Sequence, residues 1–265
     1  MTYGKTGGES DSSAMEALQT AGKIIIENGG ETYRAEETIC RMGEGFGLHE
    51  VESFAVPSGI FISYRRTDGE LETSVKRVRR EERNLTRVDE TNRISRLASE
   101  GKLKCSDALE ELKRIETMEG AFPGKWSLAA ACICATGFSV LFGGKWIDML
   151  CAGAVALTVQ WISMMLIRFH LSWLANAIAG GLLTAMLPSL IRLAVPAIQM
   201  EAVVAGALMP LVPGLSMTTA VQDAMRGDMV SGLSHGARAL LTACLIAGGA
   251  LLSSGILRLV LGGGH

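Results

Sequence analysis

Four stretches of this chain contain no aspartate, glutamate, lysine or arginine, and each is about as long as a bilayer is thick: Trp126–Gly144, Met149–Ile167, Leu171–Ile191 and Ala239–Leu257. A run of about 18 or more uncharged apolar residues reads as a membrane-spanning helix. In hydrocarbon a helix satisfies its own backbone, and an irregular segment does not. Four such runs in succession are incompatible with the core of an ordinary water-soluble domain. All four lie after residue 125, whereas the preceding sequence has the usual mixture of charged and apolar residues. The chain therefore reads as a soluble half followed by a membrane half.

The bulk composition conceals this division. A net charge of −2 over 265 residues gives no electrostatic case for binding nucleic acid. Cys132, Cys134, Cys151 and Cys244 lie within apolar runs, where a thiol packs as a small hydrophobe. Cys132 and Cys134 form C-x-C, not C-x-x-C, with no histidine beside them, so no metal or cofactor is expected. Residues 1–13 are polar and rich in Gly and Ser, which predicts a disordered start and no secretory signal peptide. Gly262–His265 reads as a flexible tail.

Residues 14–120 predict an α+β domain. Ser12 and Ser13 can cap a helix running to about Asn28, which Gly29-Gly30 ends. A second helix is expected over Tyr33–Phe46. Val51–Val56, Gly59–Arg65 and Leu71–Val78 are short and rich in Val, Ile, Phe and Tyr, as strands are. Thr67-Asp68-Gly69-Glu70 is a hairpin signal, because Asp-Gly supplies the positive φ of a primed turn. Leu85–Ser99 and Ser106–Met118 read as further helices. Lys76, Arg77, Arg79, Arg80, Arg83 and Arg87 form a basic group that is either a solvated face or a contact for anionic lipid or a partner. Lys113, Arg114 and Lys125 flank the first apolar run, and the positive-inside rule then places this domain in the cytosol, with the N-terminus in and the C-terminus out across five spans. Arg168, Arg226 and Arg238 fall on the inner side of this arrangement, and Lys145, Arg192 and Arg258 on or near the outer side.

The expected spans are 126–144, 148–167, 171–191, 196–212 and 238–260, and the fourth is irregular. Its pattern is interrupted by Gln199 and Glu201, and then by Pro210, Pro213 and Gly214, which must break a helix. Broken backbone at membrane depth is tolerated only when buried in protein or lining a wet cavity, an arrangement that transporters use to meet a polar substrate. Such a segment either crosses or re-enters. Ser216, Thr218 and Thr219 offer hydroxyls where the helix restarts, and a restart at Ser216 would aim its positive end at the break. Asp223 and Arg226 are spaced to pair on one face. Gly227, Ser231, Gly232 and Gly236 form a small-residue stripe suited to close packing. Glu201 is either a functional carboxylate or an interfacial one, and Asn176 and Gln160 are either interhelical glue or ligand groups.

Two motifs carry a family resemblance: Gly29–Glu37 (GGETYRAEE) with the Pro57-Ser58-Gly59-Ile60 turn, and Leu211-Val212-Pro213-Gly214 followed by Thr218, Asp223, Gly227-Asp228 and Ser231-Gly232. In order and spacing, over about Glu16 to Leu261, they resemble the N-terminal module of the threonine/serine exporter family. The resemblance implies a membrane module of about five spans and a second module of four to five spans, either fused or separate. The chain ends after its fifth expected span, as the larger subunit of the two-component type would. That type is associated with succinate and similar dicarboxylates, and the fused type with threonine and serine. The implied partner is a small four- to five-span membrane subunit in a hetero-oligomer.

The leading expectation is an inner-membrane exporter subunit, not an enzyme, that moves a small carboxylate-bearing metabolite and is driven by protons. Pro213, Gly214, Ser216, Thr218, Thr219, Arg226 and Asn176 are its substrate-binding candidates, and Asp223 and Glu201 its proton-coupling candidates. Arg226 suits a carboxylate because a guanidinium matches that geometry. The alternatives are a membrane-anchored hydrolase, disfavoured because His49 is the sole histidine of the soluble half and no G-x-S-x-G or H-E-x-x-H is present, or a sensor built on that half.

Overall fold

A computed structural model describes residues 6–66, 69–79, 83–120, 124–169 and 171–260. The chain divides into two compact units. One contains Met1–Ala121 together with Thr219–His235, and the other Phe122–Thr218 together with Gly236–His265.

The first unit opens with helix α1 (Thr6–Glu27) and helix α2 (Thr32–Gly45). Helix α1 begins at Thr6, inside the stretch expected to be disordered through residue 13. Gly29 ends α1 with φ 86°, and the Gly30 N–H returns to Ile25 O at 2.9 Å. A Cβ on Gly30 would lie 2.5 Å from Ile25 Cγ2, so both glycines of the pair are needed. Strands β1 (His49–Val56), β2 (Gly59–Arg65) and β3 (Leu71–Arg77) follow as an antiparallel meander in that order. Thr67 and Asp68 of the expected hairpin turn, like Arg80, residues 1–5 and the 262–265 tail, lie outside the described residues. Gly69 has φ 90°, and the Arg66 N–H reaches Glu70 O at 2.8 Å. Helices α3 (Leu85–Ser99) and α4 (Cys105–Glu116) complete the N-terminal part. Leu18, Ile25, Ile39, Met42, Ile60, Ile62, Ile94 and Leu112 form the core between the helices and one face of the sheet. The period of two puts Phe54, Phe61 and Val75 on the other, exposed face.

In the second unit, helices α5 (Gly124–Leu141), α6 (Trp146–Arg168) and α7 (Trp173–Ala194) correspond to the first three apolar runs. With helix α10 (Met229–Val260) they are the four described helices long and apolar enough to cross a membrane. Glycines set the spacing here. A Cβ on Gly206 would lie 2.6 Å from Ala135 O, one on Gly181 2.0 Å from Ile246 O, and one on Gly249 2.2 Å from Ile178 O. Such small residues let helix backbones touch where lipid supplies no hydrophobic drive. Asp148 is wholly buried, with its carboxylate accepting from the Lys145 and Gln199 N–H groups at 2.8 Å each.

The expected fourth span, 196–212, is not one continuous helix. Helix α8 (Met200–Leu208) passes into a 3-10 turn at Met209–Leu211, and helix α9 (Gly214–Met225) leaves at 56° to it. Twelve residues from Met200 to Leu211 rise about 18 Å, too little for a core of about 30 Å. The pair is either one broken span, making five, or a re-entrant loop. The last helix begins nine residues before the expected 238: Asp228 caps it, and Ser231, Gly232, Ser234, His235 and Gly236 dilute the apolar pattern of its first two turns.

Candidate functional site

The first unit brings together two segments nearly two hundred residues apart. The earlier segment is the start of α2. Glu31 stands at its N-cap and pairs its carboxylate with Arg34 at 3.0 Å, leaving the helix end without a side-chain cap. Thr32 follows and is fully buried. The later segment is the turn joining α9 to α10. Gly227, with φ 92°, reverses the chain there. Asp228 caps α10 by accepting from the Ser231 N–H at 3.0 Å. Gly232 lets the two helices close up, since a Cβ there would lie 2.9 Å from Ala220 O.

Thr32 is the point of contact. Its hydroxyl oxygen lies 3.2 Å from Asp223 Oδ1 and 3.1 Å from Asp228 Oδ2. Asp223 is 1% exposed, and its second oxygen has no hydrogen-bond partner. One residue on, the Tyr33 ring lies under the Arg226 guanidinium, 3.6 Å from its centroid. One helical turn further, Glu36 accepts from the Ala55 N–H at 2.7 Å. Burial holds the Glu36 carboxyl above the usual carboxylate range against that hydrogen bond, and Asp228 and Asp223 add to the rise. Asp228 goes the other way. Burial alone would raise it, but hydrogen bonding at Ser231, whose N–H donates at 3.0 Å, and from the Thr32 hydroxyl outweighs that and holds it low. His235, on α10, acts electrostatically on Asp223. The result is a group of carboxyls, Asp223 buried and Asp228 and Glu36 half-buried, with one hydroxyl between two of them, a guanidinium stacked at its rim and an imidazole nearby. Such a group can hold or pass a proton.

The sequence-derived candidates fare unequally. Asp223 and Arg226 both join this group, but not as the pair their spacing predicts: Asp223 engages Thr32, and Arg226 lies over Tyr33. Pro213 is buried at the break. Gly214 is exposed, and a Cβ on it would meet nothing within 4 Å. Helix α9 begins at Gly214, two residues before the expected restart, so Ser216 lies in its first turn and Thr218 and Thr219 beyond it. The Thr218 hydroxyl is turned back onto its own helix, to Gly214 O at 3.1 Å and Leu215 O at 2.9 Å. Asn176 and Glu201 belong to the second unit. Asn176 accepts from the Ser163 hydroxyl at 2.8 Å and so links α7 to α6, while Glu201 is exposed in the first turn of α8. Of the small-residue stripe, Gly232 is a packing glycine and Gly227 a turn glycine. Sequence reasoning missed Thr32, Tyr33, Glu36, Asp228 and His235 as site residues. The available signal was the density of polar side chains in Glu31–Glu37 directly after a Gly-Gly pair.

The comparisons with known proteins agree on one kind of protein. The profile of the threonine/serine exporter family (ThrE) matches residues 16–257. The chain is 26% identical over 233 residues to the "Probable succinate transporter subunit YjjP" of Escherichia coli K12, covering 83% of this chain and 85% of that protein. It is 22% identical over 228 residues to the "Probable threonine/serine exporter" of Mycobacterium tuberculosis H37Rv, covering 85% of this chain and 43% of that longer protein. No solved structure matches. Family and relatives are transporters, not enzymes, and with a profile match over most of its length this multi-pass membrane protein belongs to the threonine/serine exporter family.

Proposed function

We propose that this chain is the larger subunit of a two-component secondary exporter in the inner membrane, with its α+β unit in the cytosol. Its passenger is a small carboxylate-bearing metabolite, either a dicarboxylate such as succinate or the amino acids threonine and serine, and its driving force is the proton gradient. The observation that carries this reading is the helix broken at Val212-Pro213, whose continuation ends in a buried carboxyl, Asp223, next to an exposed cation, Arg226. Interrupted helices are where transporters meet polar substrates. In this reading Pro213, Ser216 and Thr219 shape the substrate path, Asp223 carries the proton, and Arg226 draws in the substrate carboxylate. Glu201, exposed on α8, has less to support it as a second proton carrier. The similarity over most of its length to a protein named as a transporter subunit supports a small membrane partner and a hetero-oligomer.

The test is export of labelled succinate and threonine from cells that produce this chain with a candidate small membrane subunit. Asp223→Asn should abolish the dependence of export on an imposed pH gradient, and Arg226→Lys should weaken export by losing two-pronged recognition of the carboxylate. Export that is unchanged in both variants would reject the assignment.

A further inference from the structure

A threonine hydroxyl has one proton to donate and two lone pairs to accept with. Thr32 Oγ1 nevertheless lies within hydrogen-bond distance of two carboxyl oxygens, Asp223 Oδ1 at 3.2 Å and Asp228 Oδ2 at 3.1 Å. If both acids were ionised, the hydroxyl proton would serve one of them. The other would face an oxygen lone pair at close range, in a place where Thr32 is 0% and Asp223 1% exposed. If one acid carries a proton, every contact is made: carboxyl O–H to Thr32 oxygen, and Thr32 O–H to carboxylate. The surroundings decide which acid is neutral. Asp228 is the cap of α10 and accepts from the Ser231 N–H at 3.0 Å, which suits an anion. Asp223 has no such donor, and its Oδ2 is buried without a partner. From α2, Glu31 and Glu36 also face it with negative charge, against which α10 supplies His235; Arg226 lies over Tyr33 instead.

We propose that Asp223, Thr32 and Asp228 share one proton, with Asp223 the neutral acid and Thr32 a relay between the two carboxyls. In the transfer the Asp223 O–H bond breaks and its proton joins Thr32 Oγ1, while the Thr32 hydroxyl proton passes to Asp228 Oδ2. Asp223 is left as a carboxylate, Asp228 as an acid, and the Thr32 hydroxyl is unchanged in composition. Thr32 is therefore a positioning and relay residue that sequence reasoning did not single out. This deepens the exporter reading by giving Asp223 its proton path, and it rests on that reading only for the use made of the proton.

The test is infrared spectroscopy of the full-length chain in lipid nanodiscs at neutral pH. The protonated-carboxyl C=O band should be present in the wild type, lost in Asp223→Asn and retained in Asp228→Asn. In Thr32→Val, which keeps the shape and removes the hydroxyl, the band should shift because the acid has lost its acceptor; Thr32→Ser should restore its position. Should Asp223→Asn fail to fold, the Thr32 pair reads the same band. No protonated-carboxyl band in the wild type, or a band indifferent to Thr32→Val, overturns the proposal. Loss of export in Asp223→Asn alongside an absent wild-type band would sink the shared proton while leaving the exporter reading in place.

Discussion

At the scale of single residues, two carboxyls of one cluster respond to pH with opposite signs. Glu36 has a raised value in the folded state, so its contribution to stability is full below the unfolded carboxylate range and is lost as pH rises through the folded value. Glu36→Gln keeps an oxygen for the Ala55 N–H. It should leave the thermal midpoint unchanged in acid and raise it at neutral pH, as read by unfolding in detergent across a pH series. Asp228 has a lowered value, so its contribution is present above the unfolded range and is lost as pH falls through the folded one. As a helix cap it predicts a graded series: Asp228→Ala should cost about 1 kcal/mol and Asp228→Asn far less, since asparagine caps about as well. Little of this was legible in the sequence. Asp223 and Arg226 stood out as charges beside an apolar run, but their spacing suggested each other as partners. Their true partners, Thr32 and Tyr33, lie on another helix, 191 positions from Asp223 in the case of Thr32. A periodic pattern reports on neighbours along one helix and is silent on which distant helix supplies the next hydrogen bond.

At the scale of elements, the sequence marks glycines without saying which of them are needed, and the structure separates them. Gly181 and Gly249 sit where a methyl would strike the backbone of a facing helix, whereas Gly214 stands in open space. Gly181→Ala and Gly249→Ala should each force α7 and α10 apart and lower the yield of folded protein, as measured by monodispersity in detergent. Gly214→Ala should be tolerated, or gain about 0.5–1 kcal/mol from reduced freedom of the unfolded chain. The helix–helix–sheet–helix–helix order was readable because each element has its own period and its own turn residues. The first three apolar helices were readable because lack of charge over a bilayer's thickness is a strong constraint. The α8–α9 break was visible as Pro210, Pro213 and Gly214, yet the restart of α9 was misplaced by two residues, since Pro213 both ends the break and stands directly before the new helix, its C=O accepting from the Met217 N–H at 3.1 Å. The early start of α10 was hidden because Ser231, Gly232, Ser234, His235 and Gly236 dilute the apolar pattern of its first two turns, and the cap at Asp228 carries no hydropathy signal.

At the scale of the whole molecule, the apolar residues are turned outward along most of the second unit. Ile133, Leu141, Leu150, Leu193, Leu240 and Leu251 are all at least 65% exposed. A surface of that kind in water would associate without limit, and it suits lipid or another membrane chain. The purified protein should therefore aggregate when detergent is removed and recover its monodispersity in nanodiscs; a soluble monomer in plain buffer would contradict the membrane assignment. The first unit is built from two separated pieces of chain, and this division was not legible either. Composition changes once, near residue 125, whereas the chain returns to the first unit for residues 219–235.

That return has a consequence for biosynthesis. The N-terminal piece leaves the ribosome with Thr32 ready but with neither of its carboxyl partners yet made. The two acids arrive only after α5 to α8 have been translated. The cluster is thus completed late, by a chain whose apolar helices have already been delivered. A product cut short before residue 223 would keep its sheet and its first four helices while lacking every acid that α9 and its turn contribute.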